Sequence, residues 1–489
     1  MSPSAPAPVD APQPPPASSL TGLDRFFQIT ARGSSVAREI RGGLATFFAM
    51  AYIIVLNPII LGAGEDKYGH QLDNGQLVTA TALMAGLTTI LMGVIGNVPI
   101  ALAAGLGINA VVALQLAPKM SWPDAMGMVV LAGLVLMILV ASGLRQRVMD
   151  AIPGGLRRAI AIGIGLFIAL IGLVDSGFVT RNPDTAHTTV PMGLGIEGRL
   201  QGWPVLIFVL GLALTFILVV RKTRGAILIG ITVTAFTAII VNTIAAIPDA
   251  AWGLSVPRVP DKVVDTPDFG LIGDISLFGG FDEVGVLTGC LFVFTVLLSG
   301  FFDAMGTIIG VGEEAGLMDD EKGQMPGMGR ILMVDGIAVA GGGLGSASAN
   351  TCFVESTAGV GEGARTGLAN LVTGGLFLLA LVFTPLAKVV PSQAATPALI
   401  VVGFLIMASN VTEIDWRDST IAVPAFLTLI SMPFTYSITN GIGIGVLSFI
   451  LLRVAAKRTR EIPWLLGAVG LCFLVYFLLD PIEQVLGVS

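Results

Sequence analysis

The sequence predicts an all-α polytopic membrane protein, and three observations predict it. Of its 489 residues, 54% are hydrophobic and only 12% charged, where a soluble domain carries about 25% charged residues. Apolar stretches close to membrane-spanning length recur along almost the whole chain. A weak internal repeat relates two halves that run in opposite directions across the bilayer.

Residues 1–20 read as a disordered tail, because seven prolines fall within the first 16 residues and that composition favours an extended, polyproline-like chain. The tail lacks the basic start and apolar core of a signal peptide. Arg25, Arg32, Arg38 and Arg41 come next, ahead of a first apolar span over 43–62. Basic residues there place the N-terminus in the cytoplasm. Further spans lie near 77–96, 100–117, 126–144, 157–174, 203–220, 226–247, 287–310, 330–345, 347–360, 367–387, 396–409, 419–432, 437–454 and 463–481. Several are shorter than the roughly 20 residues that a straight spanning helix needs.

Threaded alternately through the bilayer, these spans put 19 of the 26 Lys and Arg residues in cytoplasmic segments, Arg145, Arg147, Arg157, Arg158, Arg221, Lys222 and Arg453 among them. That bias supports the threading. The last stretch, 463–481, reads as a fifteenth span, an interfacial helix or part of a broken pair. The longest exterior loops, 175–202 and 248–286, are rich in Pro, Asp and Gly and read as caps without visible chemistry.

The repeat pairs MDAIPGGLRRAIAIGIGLFIALIG, from Met149, with AKVVPSQAATPALIVVGFLIMAS, from Ala387. Each has a proline after a span, a short polar step and a Gly-containing apolar run. Seven spans separate the two copies, so one starts in the cytoplasm and the other outside. Inverted repeats mark secondary transporters, whose sites lie at mid-membrane between broken helices.

Acids concentrate between Leu287 and Leu386. Asp303 lies in LTGCLFVFTVLLSGFFDAMGTIIGVG, Asp335 in ILMVDGIAVAGGGLG and Glu355 in SASANTCFVESTAGVGEG. An ionised carboxylate at mid-bilayer costs roughly 2.5 kcal/mol or more, so such groups face a cavity, a partner or a substrate. The third span, PIALAAGLGINAVVALQL, and the tenth, holding Glu355, are both short. Gly105 and Gly107 interrupt the one; Ser346, Ser348 and Asn350 lead the other. Each reads as a few extended residues followed by a half-helix. Irregular backbone at that depth survives only where it is buried in protein or lines a cavity. The half-helix N-termini would aim free N–H groups at one central site. The plainer alternative is a pair of Gly-rich packing helices.

Other chemistries find no support. Cys290, Cys352 and Cys472 are odd in number and widely spaced, which suggests neither a disulfide framework nor a zinc pattern. His70 and His187 sit in polar loops and read as ordinary loop histidines. No cofactor motif is present, since there is no GxxxxGK[ST] and GVGEGARTG near 359 follows no strand. Basic residues form no nucleic-acid patch. An intramembrane hydrolase would want a metal motif or a Ser/His pair within the spans, and neither is present.

The motifs resemble those of the AzgA-like purine permeases, a branch of the nucleobase–ascorbate (nucleobase–cation symporter) transporters. The matching stretches are REIRGGLATFFAMAYIIVLNP in the first span, GLGINA in the third, FFDAMGTIIGVGEEAGL in the eighth, NTCFVESTAGVGEGARTGL in the tenth and TYSITNGIGIG near 435. The resemblance covers about 25–481. It implies fourteen spans in two inverted sevens, divided between a core and a gate domain. After a disordered cytoplasmic tail over 1–24, the core takes 25–144 and 287–390. The gate takes 145–247 and 391–489, and an exterior loop spans 248–286. It also implies a purine base driven inward by protons, a homodimer and a plasma (inner) membrane location. The family's binding residues map onto Asn109, Asp303 and Glu355, with neighbours in the tenth span. One departure matters: the family's eighth span carries two acids three apart, and Gly300 stands where the first is expected.

Read singly, Glu355 can accept two parallel N–H bonds, as guanine offers through N1 and its exocyclic amine. Its alternative is a structural acid paired to backbone. Asp303 could bond a purine nitrogen, carry the coupling proton, or both; its alternative is a helix-end pairing. Asp335 is open between a structural bond to the broken helices and proton relay. Asn109, Asn350 and Thr351 could bond base edges, although polar residues in membrane helices often bond neighbouring helices instead. Phe301, Phe302 and Phe353 flank the acids, and one could stack on a flat base. Tyr52 and Thr46 are further pocket-lining candidates. The expected function is a secondary active transporter for purine nucleobases, guanine, hypoxanthine or adenine, coupled to protons. The alternative is an anion transporter of the same inverted-repeat fold, because facing half-helix N-termini suit anions.

Overall fold

The computed structural model describes residues 22–478 apart from 144–151, 182–191, 197, 224, 253–255, 260–261, 319–324, 326 and 389. The side chains of residues 250, 302, 303, 305, 306, 309, 313, 387 and 388 also lie outside the description. The proline-rich tail therefore falls outside it through residue 21. Residues 22–24, grouped with that tail above, open a short helix, α1 (Gly22–Phe27).

Helices make up most of the rest. α2 (Val36–Met50) and α3 (Ile53–Gly62) form one interrupted span, and α4 (Asn74–Leu91) runs on through a π-turn to Gly96. Strand β1 (Leu102–Ala104) leads into α5 (Leu106–Val111), whose helical path continues to Lys119, and then α6 (Trp122–Ala141). α7 (Gly154–Asp175), the hairpin β2 (Val179–Arg181) and β3 (Met192–Leu194), α8 (Trp203–Val220) and α9 (Ala226–Ala245) follow. After a long loop come α10 (Gly279–Val284), α11 (Val286–Glu314), α12 (Met328–Leu344), β4 (Asn350–Cys352), α13 (Ser356–Gly361), α14 (Leu368–Ala380) and α15 (Thr384–Lys388). α16 (Ser392–Asn410), α17 (Ser419–Phe434), α18 (Ile438–Ala455) and α19 (Trp464–Phe477) end the described chain.

Nine helices among the described residues are long and apolar enough to cross a membrane, from Val36–Gly62 to Ile438–Ala455. Shorter apolar helices lie between and after them, at Leu106–Lys119, Val286–Phe301, Ser419–Phe434 and Trp464–Phe477. The β2–β3 hairpin, within the loop 175–202, departs from an all-α reading. The third and tenth spans are each a strand followed by a half-helix, as their interrupted sequences predict.

Local sequence starts the helices. Side-chain oxygens of Ser35, Asp73, Ser121 and Ser437 accept the backbone N–H of Arg38, Gln76, Asp124 and Asn440, supplying a bond that a first turn otherwise lacks. Pro153 and Pro391, the prolines of the sequence repeat, stand immediately before α7 and α16. Proline's fixed φ and missing N–H suit a helix entrance. The two helices they introduce pack along each other.

The packing repeats as well. α4 lies on α14 and α12 on α6; α2 on α14 and α11 on α6; α8 on α9 and α17 on α18; α7 on α17 and α16 on α8. In each couplet the second contact follows from the first by moving every segment seven places along the series of spans. Small residues let these backbones meet. A Cβ added at Gly133 on α6 would fall 2.4 Å from the Ala340 nitrogen of α12, and one at Gly165 on α7 would fall 2.8 Å from the Gly403 oxygen of α16.

β1 and β4 pair antiparallel, with Leu102 opposite Cys352, Ala103 opposite Thr351 and Ala104 opposite Asn350. Bonds from Gly105 N to Ala349 O and from Phe353 N to Ala101 O, both 2.9 Å, extend the ladder. All six strand residues are buried, so the outer edges need partners other than water. Thr89 of α4 supplies two: its hydroxyl donates to Leu102 O and accepts from Leu102 N, each at 2.9 Å. Asn370 of α14 donates to Val98 O at 3.0 Å and Ile100 O at 2.7 Å. Ser356 Oγ accepts from Ala101 N at 3.0 Å.

Thr89→Val keeps the side-chain shape and strands both backbone groups of Leu102. The expected result is a loss of about 2–6 kcal/mol for the two groups, read as a lower unfolding midpoint in detergent. Thr232→Val, which removes only an exposed bond to Leu228 O within its own helix, should leave the midpoint nearly unchanged.

Candidate functional site

The two faces of the strand pair differ. Opposed residues point the same way, and successive residues alternate. Leu102 and Cys352 enter an apolar cluster with Val98, Ile100, Ile308 and Val334. Ala103 and Phe353 enter another, with Tyr52, Ile108 and Phe301. Of the candidate residues, this second face brings together Tyr52, Phe301, Thr351 and Phe353. Thr351, opposite Ala103, is fully buried there. α11 meets the strands at Gly300, where a Cβ would fall 3.1 Å from Ile108 Cδ1 and 3.5 Å from Thr351 Cγ2. Gly300, where the resemblance expects an acid, is thus a tight helix–strand contact, and a carboxylate side chain there would have to displace Ile108.

Glu355 follows β4 closely, as the residue capping α13. Its Oε1 accepts a hydrogen bond from the Tyr52 hydroxyl at the junction of α2 and α3. Among the described residues no Lys, Arg or His forms an ion pair with it.

The expectation of free N–H groups at both half-helix starts needs correcting on one side. The N–H groups of Ser356, Thr357 and Ala358 already bond the carbonyls of Phe353, Val354 and Glu355. Glu355 itself has right-handed helical backbone, so the turn starts early and uses those donors. At α5, as at α13, no side chain caps the first turn.

On α5, Asn109 is fully buried, and neither of its amide atoms has a partner among the described residues. More than about 90% of buried polar groups are paired, so a buried amide with neither atom bonded to a described residue stands out among the candidates. Asn350 and Asp335 stand apart from the Glu355 face. Asn350 Nδ2 donates to Thr88 Oγ1 at 3.1 Å, fastening β4 to α4. Asp335 on α12 is fully buried, and its Oδ1 lies 3.6 Å from Cys352 Sγ, on the opposite side of the strands from Tyr52. Phe301 and Phe353 are buried in the apolar wall of the Glu355 face. Asp303 and Phe302 lie on the helical backbone of α11, but their side chains are outside the described residues.

Two residues acquire roles that the sequence reading did not give them. Tyr52 is the partner of Glu355 and not merely part of a lining. Gln115, at the end of the α5 path, accepts through Oε1 from Ser437 at 3.3 Å and Thr439 at 3.0 Å. Thr439 Oγ1 in turn lies 3.1 Å from Thr295 Oγ1, which joins α5, α11 and α18. The available signal was a lone amide inside the apolar run VALQL, since polar residues in membrane helices tend to bond across helices.

The fold is shared with solved transporters. The transmembrane domain of a cyanobacterium bicarbonate transporter, BicA, superposes with a TM-score of 0.57 at 15% identity, over 83% of this chain and 97% of that one. SLC26A9 superposes with a TM-score of 0.59 at 12% identity, over 93% and 73%. Sequence relatives include the guanine/hypoxanthine permease PbuG of Bacillus subtilis, 38% identical over 93% of this chain and 99% of its own. The adenine permease AdeQ of Escherichia coli is 36% identical over 94% and 96%. The permease family matches residues 37–444, so the chain belongs to that family and is a membrane transport protein, not an enzyme.

Proposed function

We propose that this permease is a secondary active transporter that imports purine nucleobases, guanine, hypoxanthine or adenine, by proton symport. One observation carries the reading: Glu355, beside the buried strand pair, is held by a hydroxyl and not by a cation. Such a carboxylate can accept N–H groups from the edge of a neutral base and would repel an anion. Relatives named as guanine/hypoxanthine and adenine permeases support the cargo class. The second reading, an anion transporter, draws on fold neighbours titled as bicarbonate and anion transporters. At such low identity these show fold alone, and the acid at the site weighs against it.

In the proposed cycle the base lies between the third and tenth spans. Glu355 takes its N–H edge, Asn109 supplies a donor and an acceptor, Thr351 adds a hydroxyl, and Phe301 or Phe353 covers the ring. Protonation of Asp303 or Glu355 neutralises the site. The position of Asp335 and Asn350 behind the strands supports a structural role for both. The recurring packing couplets support two inverted sevens, with 25–144 and 287–390 as a core and 145–247 and 391–489 as a gate. The N-terminus is cytoplasmic, the location is the inner membrane, and the assembly is a homodimer. The core then moves past the gate along the contact of α5 with α7 and α18.

Radiolabelled hypoxanthine and adenine uptake, in cells lacking their own purine permeases, tests this reading. Glu355→Gln should lower uptake at least about ten-fold, as for loss of a charge-assisted hydrogen bond, and a protonophore should abolish uptake by the unaltered protein. Uptake indifferent to Glu355→Gln would remove the central residue. Absence of purine uptake with the protein in the membrane would favour the anion reading.

The seam makes a separate prediction. A methyl at Gly107 would fall 2.6 Å from Ile164 Cγ2. Gly107→Ala should therefore slow uptake roughly ten-fold, as for an overpacked contact of 1–3 kcal/mol. Adding Ile164→Ala should restore most of the rate. If the double variant stays slow, α5 and α7 do not move past each other at this point.

A further inference from the structure

We infer that Tyr52 is the positioning residue of the binding carboxylate: its hydroxyl fixes the plane of Glu355 and thereby sets how strongly a base edge is held. This rests on the purine reading above. Tyr52 is only 1% exposed and packs in the same apolar cluster as Phe301 and Phe353, so its ring has little freedom. It stands where α2 passes into α3. Ile54 N bonds Ala51 O across that junction, and both Val55 N and Leu56 N bond Tyr52 O. The residue is therefore tied to the first turn of α3, and burial of the ring holds the phenol. Among the described residues no cation competes for Glu355, and the Tyr52 hydroxyl is its side-chain donor.

An ionised carboxylate offers about four acceptor directions. Tyr52 takes one on Oε1 and leaves the rest in a fixed plane, where parallel N–H donors can meet them. A carboxylate without that donor turns about its last torsion, which is broad and soft, and ordering it must come out of the binding free energy.

The test uses the full-length protein, purified in detergent, with calorimetric binding of guanine, hypoxanthine and adenine. Tyr52→Phe keeps the ring and its packing. It should weaken the tightest-binding base about ten-fold, the scale of a hydrogen bond to a charged group, with the unfolding midpoint little changed. Infrared spectra supply a readout that packing alone would not move. The carboxyl band that disappears in Glu355→Gln should shift in Tyr52→Phe. Unchanged affinity in Tyr52→Phe, or weaker binding with that band unmoved, overturns the inference while leaving the purine reading in place. Failure of the unaltered protein to bind any of the three bases overturns the purine reading and this inference together.

Discussion

The structure depends on satisfying the backbone of two short strands buried within a bundle of apolar helices. Lipid offers no hydrogen bonds, so a strand pair with open edges is tolerated at membrane depth only if protein closes the edges. Here the closing groups come from helices near and far in sequence: Thr89 on Leu102 from the preceding helix, and Asn370 on Val98 and Ile100 and Ser356 on Ala101 from the second half. Each is a small polar residue in an otherwise apolar helix. Thr89 and Asn370 hold the first strand and its approach, Ser356 ties the start of α13 to Ala101, and β4 is held by its pairing with β1, so these bonds bear on where Asn109 and Glu355 stand. The same bonds thus serve stability and site geometry.

Much of this was legible in the sequence. Hydropathy located almost every helix, because a membrane helix must be apolar over a length set by the bilayer. The broken spans were visible because Gly105, Gly107, Ser346 and Ser348 interrupt that pattern, and Ser346 and Ser348 do adopt left-handed backbone. Prolines at 153 and 391 announced the repeat because a helix entrance is one of the few places where proline helps. What stayed hidden was pairing at long range. Nothing local to Tyr52 says that it meets Glu355, or that Asn350 turns away to Thr88 while its neighbour Thr351 faces α11. That depends on strand register, where one residue decides which face a side chain takes. Nor could the sequence reveal that the tenth-span turn starts before Glu355 and uses its own N–H groups.

Gly300 shows how one backbone position can carry two meanings. As a sequence departure it suggests a missing acid and a changed coupling scheme. In the structure it is a point of close approach, with Ile108 and Thr351 within reach of any Cβ placed there. The two are compatible: a proposed site that takes its acid from Glu355, at the start of α13, has less need of a second acid on α11. The space given up by that side chain lets the helix lie closer to the strands. Low-identity neighbours that move anions share the fold, so cargo must be decided by which groups sit at the strand crossing and not by the scaffold.

The character of the helix contacts bears on how such a protein could move. Within the proposed core, backbone meets backbone: Gly133 against Ala340, and Gly93 against the Gly367 oxygen at 2.6 Å from an added Cβ. Within the proposed gate the same holds for Gly165 and Gly403. Between the two, beside the third span, the contacts are made by side chains: Ile164 over Gly107, and Gln115 with Ser437 and Thr439. Interlocked backbones cannot slide without breaking many contacts at once, whereas side chains can change rotamer and exchange hydrogen-bond partners at modest cost. A single amide shared with two hydroxyls is suited to that exchange, since either hydroxyl can be released while the other remains. The kind of packing and its symmetry both favour the proposed division into two bodies, with a side-chain seam beside the third span, which carries Asn109.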